Sequence, residues 1–163
     1  PFLFGSSCGK DDLGINRKMI GLLNGERWEA SGYFTHHVPH NIGLSIRFEI
    51  YNSAGELREK LLIFKVPFEV GNYPITIASI RDTKEEIGAV YWTLSNDGDV
   101  IDDTYELYVP AENTISVTEA DTLKNIVKGE VNATFLVDPH DVEDTDIDTI
   151  RIENGLFEIT LRD

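Results

Sequence analysis

Alternation between apolar and polar residues is the feature that most limits how this chain can fold. In residues 44–50 every second side chain is apolar, and residues 114–118 repeat the pattern with β-branched side chains. Successive side chains of a β-strand point to opposite faces, so these segments predict strands with one buried face. Similar patterns predict further strands at residues 19–23, 28–34, 57–64, 73–77, 89–94, 105–109, 127–137 and 157–162.

Turn-forming residues separate these segments. Asn24-Gly25 predicts a tight hairpin, because such a turn needs positive φ at both central residues. Asn154-Gly155 predicts either a second hairpin or a bulge within one long final strand, and Gly129 predicts a bulge or a bend. Residues 54–61 contain good helix formers, but the segment is short and continues into apolar residues, which favours a returning strand. About ten short strands predict an all-β fold, either an antiparallel β-sandwich or a partly open β-barrel.

The first residues have a different character. Residues 1–8 are apolar and then small, which is typical of the end of a signal peptide. Phe4 to Cys8 resembles the lipobox of bacterial lipoproteins, and Lys10-Asp11-Asp12 resembles the charged signal that directs Bacteroidetes lipoproteins outward. We therefore expect a signal-peptide remnant at 1–8, a tether at 9–18 and one all-β domain at 19–163, lipidated at Cys8. An apolar N-terminal strand with a buried thiol is the alternative.

Several short motifs in residues 19–163 follow one another in an order that resembles small Bacteroidetes lipoproteins of unknown function. They are Asn-Gly-Glu-x-Trp-x-Ala at 24–30, Gly-Asn-Tyr-Pro-Ile at 71–75, which resembles the family's Gly-x-Tyr-x-Leu, the strands at 114–118 and 127–135, and Ile-x-Asn-Gly-x-Phe at 152–157. The resemblance implies an extracytoplasmic outer-membrane lipoprotein, periplasmic or at the cell surface. It supplies no catalytic residue.

Charge and cysteine content limit the partners. With 29 acidic and 14 basic residues the formal net charge is −15, so we expect no nucleic-acid partner. A bare anionic membrane surface is equally unfavourable, which leaves lipid on Cys8 as the expected membrane attachment. A single cysteine allows no internal disulfide and no cysteine-based zinc site.

Metal sites have weak support. His36, His37 and His40 lie close together, yet Pro39 and Asn41 indicate a solvated loop. The acidic segments 96–103 and 138–148 could offer oxygen ligands to calcium. However, the first lacks a glutamate at the twelfth loop position and the second lacks a glycine. We expect no metal and no cofactor, with calcium at these two segments left open.

No catalytic arrangement stands out. The chain has no Gly-x-Ser-x-Gly motif, and 29 acidic residues make some close carboxylate pair inevitable. Trp28 is expected to close the end of the core, with its indole N–H bonded, and a sugar-stacking surface is the alternative. The sequence favours a non-enzymatic module that binds a protein, a glycan or a small ligand. A glycan hydrolase using loop carboxylates and a calcium-dependent adhesion module are the alternatives.

Overall fold

The computed structural model describes residues 17–36, 43–81, 83–138 and 149–162, and all regular elements in these residues are strands. This confirms the predicted all-β class. The ten strands are β1 (Lys18–Leu23), β2 (Glu26–His36), β3 (Leu44–Tyr51), β4 (Leu57–Val66), β5 (Gly71–Pro74), β6 (Gly88–Leu94), β7 (Ile101–Leu107), β8 (Thr114–Asp121), β9 (Ile126–Val137) and β10 (Thr149–Thr160).

The sheet closes on itself. Its antiparallel pairings run β10-β1-β2-β3-β4-β6-β7-β9, and β9 also pairs with β10, so eight strands form a closed barrel. Strands β8 and β5 continue beyond β9. This is possible because β9 is long: Phe135 to Val137 pair with β7, and Ile126 to Asn132 pair with β8 on the same edge. Closure pairs β9 with β10, where an open sheet would leave both strands unpaired on that side.

The barrel interior is a packed core. The inward side chains of the alternating strands form one cluster, in which Phe34, Phe48, Tyr91 and Phe135 are completely buried. The Tyr91 ring lies 5.9 Å from Tyr105 and 6.1 Å from Phe135, measured between centroids. Burial of such large side chains is the main stabilising contribution that alternation makes possible. The described interior is therefore filled by side chains.

The Asn24-Gly25 hairpin is confirmed. Asn24 and Gly25 have φ values of 52° and 82°, and Leu23 pairs with Glu26 across the turn. Asparagine tolerates the left-handed region better than most residues, and glycine enters it freely. The Asn24 side chain also joins the turn to β10, because its Oδ1 accepts from the Arg151 N–H at 2.8 Å.

Asn154-Gly155 is a bulge within β10, which decides between the two interpretations that the sequence left open. The register shifts between Ile152 and Gly155, and Asn154 has a φ of 51°. The extra residue breaks the alternation, since the inward positions change from Ile150 and Ile152 to Phe157 and Ile159. This is why only residues 157–162 were recognisable as a strand from the pattern.

Gly129 occupies a place of close approach. The bulge predicted here lies on the facing strand β8, between Val117 and Glu119. A Cβ on Gly129 would lie 2.0 Å from the Ser116 carbonyl oxygen and 2.6 Å from the Phe157 ring. The absence of a side chain therefore allows β8 and the Phe157 ring to pack against β9.

Strands β5 and β7 end earlier than predicted. Strand β7 ends at Leu107 instead of residue 109, because the chain turns there. In place of a ladder hydrogen bond from a longer β7, the Asn113 side-chain oxygen accepts from the Thr134 N–H of β9 at 2.8 Å. Strand β5 ends at Pro74 instead of residue 77. The Ile75 N–H bonds to Asn113 and the Thr76 N–H to Ile87, so the chain leaves β8 at this point.

Candidate functional site

The most chemically distinctive concave surface lies on the outer wall of the barrel, on β2 and β3 beside the end of β10. It has a volume of about 400 Å³. We call it the arginine–tyrosine groove, and its lining residues are Arg17, Ser31, Gly32, Tyr33, Glu49, Tyr51, Thr160, Leu161 and Arg162.

Strand parity and chain ends together build this groove. Phe34 and Phe48 point into the core, so their neighbours Tyr33 and Glu49 point outward. Arg17 directly precedes β1, and its carbonyl oxygen accepts a hydrogen bond from the Gly32 N–H of β2 at 2.7 Å. Beyond that point β10 reaches β2 directly, and the Arg162 N–H bonds to the Phe34 carbonyl at 2.9 Å. The two ends of the domain thus bring two arginines to one place.

Glu49 is the centre of the groove. Glu49 is only 7% exposed although it lies on the outer face of the barrel. The Tyr33 hydroxyl donates to one carboxylate oxygen at 3.1 Å, and the Tyr51 hydroxyl donates to the other at 2.7 Å. The hydrogen bond to Glu49 and, to a smaller extent, burial raise the pKa of the Tyr51 hydroxyl to about 12. Tyr51 therefore remains a neutral donor at physiological pH.

The arginines are organised by Tyr33. The Arg162 guanidinium carbon lies 4.6 Å from the centre of the Tyr33 ring, and the Arg47 guanidinium carbon lies 5.8 Å from it. Arg47 also donates to the Tyr33 hydroxyl at 3.3 Å. Cation–π contacts of this kind hold a guanidinium flat against an aromatic face. Arg162 is consequently preorganised at the rim of the groove.

Positive charge accumulates around the groove. None of the ion pairs formed between described residues involves Arg17, Arg47 or Arg162. Lys60 lies opposite Glu49 on β4, where burial lowers its pKa and the nearby Arg47 charge lowers it further. Arg17 and Arg162 line the groove together with a single carboxylate, and Arg47 and Lys60 lie beside it, in a chain whose net charge is −15. The groove is a local exception to an acidic surface.

Two other cavities are chemically plainer. A larger groove of about 780 Å³ lies on β9 and β10, where Arg151 is accompanied by Glu112 and Glu153. A slot of about 240 Å³ lies on the outer face of β4, β6 and β7, lined mainly by apolar side chains such as Phe64, Ile77 and Trp92. The larger groove carries two carboxylates and one arginine, and the slot is mainly apolar, so neither presents an excess of positive charge as the arginine–tyrosine groove does.

Trp28 occupies the expected core position, but its indole N–H does not fit the expectation. The residue is 8% exposed and belongs to the core cluster, so it cannot serve as a sugar-stacking surface. Its Nε1 is buried and has no hydrogen-bond partner among the described residues. A buried donor without a partner costs about 1–3 kcal/mol.

Only some of the candidate metal ligands lie among the described residues. His36 is exposed at the end of β2, while His37 and His40 lie outside the described residues. In the first acidic segment, Asp97 accepts from the Ser95 hydroxyl and from the Asp99 N–H, which lowers the pKa of Asp97 and closes the turn between β6 and β7. Among described residues, no group of three or more His, Cys, Asp or Glu side chains could hold a metal ion.

Other predictions remain untested. The second acidic segment is described only at Asp138, because residues 139–148 lie outside the described residues. Calcium binding there stays a hypothesis. Cys8, the expected lipidation site, also lies outside them.

The arginine–tyrosine groove was not predicted from the sequence. A signal was present, since Tyr33 and Tyr51 are aromatic residues at outward positions of β2 and β3. Exposed aromatic side chains on a polar face often mark binding surfaces. The contribution of Arg17 and Arg162 required knowledge of how the chain ends meet.

No helix capable of crossing a membrane occurs in the part of the chain that the structure describes. Comparison of the chain with known protein families, with curated proteins and with solved structures finds no match in any of the three.

Proposed function

We propose that this chain is a non-enzymatic binding domain that holds an anionic ligand in the arginine–tyrosine groove. The observation that carries the proposal is the pair of exposed guanidinium groups, Arg17 and Arg162, which line one concave site without an ion pair to any described residue. Arginine forms strong, charge-assisted hydrogen bonds with carboxylate, sulfate or phosphate groups. An anion would therefore provide the partners that the groove lacks.

The environment of Glu49 supports binding over hydrolysis. Glycoside hydrolysis uses two carboxyl groups on opposite sides of the scissile bond. The described lining of the groove includes a single carboxylate, and tyrosine hydroxyls already donate to both of its oxygens. The barrel interior supports the same view, because its apolar side chains form one buried core cluster.

The overall charge favours a compact ligand. A long polyanion would extend from the groove over a surface that belongs to a chain of net charge −15. Repulsion from that surface disfavours nucleic acid. A small anion would contact the groove alone, and its binding should weaken as salt screens the arginine charges.

The proposal is tested by titrating the purified 163-residue chain with a panel of small anions and neutral analogues in a calorimeter. The panel contains phosphate, sulfate, simple carboxylates and acidic sugars. We expect at least one anionic class to bind and Arg162→Gln to weaken it about tenfold or more, because a charge-assisted hydrogen bond contributes about 1.5–3 kcal/mol. Arg151→Gln, in the larger groove, is the matched control and should bind normally. Equal losses in both variants, or no binding at all, would refute the proposal.

We also propose that the domain is attached to the outer membrane through lipid on Cys8. Support comes from residues 1–8 and from the charged residues that follow the cysteine. Several acyl chains would anchor the protein stably, since each buried methylene contributes about 0.8 kcal/mol. Labelled palmitate should enter the wild-type protein and be lost in Cys8→Ala. Equal labelling of the two would rule out this anchor.

A further inference from the structure

The groove combines features that restrict the chemistry of its ligand beyond negative charge. Tyr51 is 47% exposed and lines the groove, so its ring offers an apolar face to a ligand. Aromatic faces of this kind pack against the apolar C–H faces of flat, ring-shaped molecules. A bare inorganic anion could not use this surface. The ligand should therefore contain a ring as well as an anionic group.

Glu49 adds a second restriction. A carboxylate offers about four lone-pair positions, and the two tyrosine hydroxyls use one on each oxygen. The remaining lone-pair positions can be used only by a ligand group that donates a hydrogen bond. A ligand made of acceptor oxygens alone would be repelled by this charge. The ligand should therefore present hydroxyl groups to Glu49 and its negative charge to the arginines.

Arg162 adds a third restriction. Its guanidinium carbon lies 4.6 Å from the centre of the Tyr33 ring, and this cation–π contact helps to position its donors. A planar fork of donors matches a planar carboxylate through two parallel hydrogen bonds.

The volume of the groove, about 400 Å³, lies at the small end of the usual range for ligand sites. It suits a molecule no larger than a mono- or disaccharide.

From these features we infer that the groove recognises a uronic acid, a sugar ring that carries a carboxylate and free hydroxyl groups. In this arrangement the ring packs on Tyr51, the hydroxyl groups donate to Glu49, and the carboxylate accepts from Arg162 with Arg17 nearby. The inference rests on the proposed function, because it specifies the class of anion that the same groove holds.

The test is calorimetric titration of the purified chain with galacturonate, glucuronate, mannuronate and guluronate disaccharides. The dimethyl ester of each disaccharide, in which both carboxylates are esterified, has the same rings and hydroxyl groups but no charge. We expect at least one uronate to bind, and its ester to bind at least tenfold more weakly. Arg162→Lys, which keeps the charge and loses the planar fork, should weaken uronate binding more than it weakens phosphate binding.

Glu49→Gln provides a separate readout. If ligand hydroxyl groups donate to Glu49, this variant should bind the uronate less well. If Glu49 only repels anions, the variant should bind it more tightly, which would overturn the uronate assignment. Circular dichroism and the melting temperature check that each variant remains folded.

The outcomes also distinguish this inference from the proposed function. Binding of phosphate or sulfate as tight as binding of every uronate, with loss in Arg162→Gln, would leave an anion site and overturn the uronate assignment. Equal binding of ester and acid would overturn it as well. If no uronate binds at millimolar concentration while another anion does, the anion site remains and the uronate assignment is overturned.

Discussion

Phe135→Ala should lower the free energy of unfolding by about 3–5 kcal/mol, the usual loss for a large aromatic side chain removed from a packed core. Phe135 is completely buried, and its ring lies 6.1 Å from that of Tyr91. It also lies at the barrel seam, since it pairs with Leu107 on β7 and with Ile150 on β10. A cavity at this position would remove contacts with strands on both sides of β9.

Urea denaturation followed by far-ultraviolet circular dichroism measures this loss. Because small domains are stable by only about 5–15 kcal/mol, the variant should unfold at a clearly lower urea concentration. Leu123→Ala is the matched control, because Leu123 is 95% exposed and its removal should change stability by no more than about 0.5 kcal/mol. A loss in Phe135→Ala as small as that in the control would contradict the closed, packed barrel.

Gly129→Val should be the second most damaging change, with a loss of about 3 kcal/mol or more from overpacking. Any Cβ here would lie 2.0 Å from the Ser116 carbonyl oxygen, and backbone of a paired strand cannot move aside without breaking its ladder. The Phe157 ring, 2.6 Å from the same position, blocks the other side. The pairing of β8 with β9 should therefore weaken most.

Amide hydrogen exchange locates this effect. Exchange should accelerate in β8 and in the part of β9 that faces it, more than in β2 and β3. Thr118→Ala, an exposed change within the facing bulge, should leave exchange and stability almost unchanged. Normal stability of Gly129→Val would show that β8 does not approach β9 as closely as described.

The sequence predicted the fold class and most strands because alternation is a local property. The strands at 44–50 and 127–137 were recognisable because one face of each is buried along its full length. The first half of β10 was missed because the Asn154 bulge interrupts that alternation. Barrel closure was not decidable, since it depends on the pairing of β9 with both β7 and β10, which no local pattern encodes.

The groove depended even more on distant contacts. Arg17 and Arg162 are separated by almost the whole chain, and only the meeting of β10 with β2 brings them together. The buried state of Glu49 was also unpredictable, because an outward-facing glutamate is normally solvated. By contrast, the acidic and histidine-rich segments were conspicuous in sequence, and their described residues form turns and strand ends without a metal-binding group.

Binding of an anionic ligand on β2 and β3 can be located by amide chemical-shift mapping with nuclear magnetic resonance. On addition of the tightest-binding anion, we expect the largest shifts at Ser31, Tyr33, Glu49 and Tyr51. These shifts should be lost when both Arg17 and Arg162 are changed to glutamine. Largest shifts at Asn132, Thr134 and Arg151 in the groove on β9 and β10, or unchanged shifts in the double variant, would contradict binding on β2 and β3.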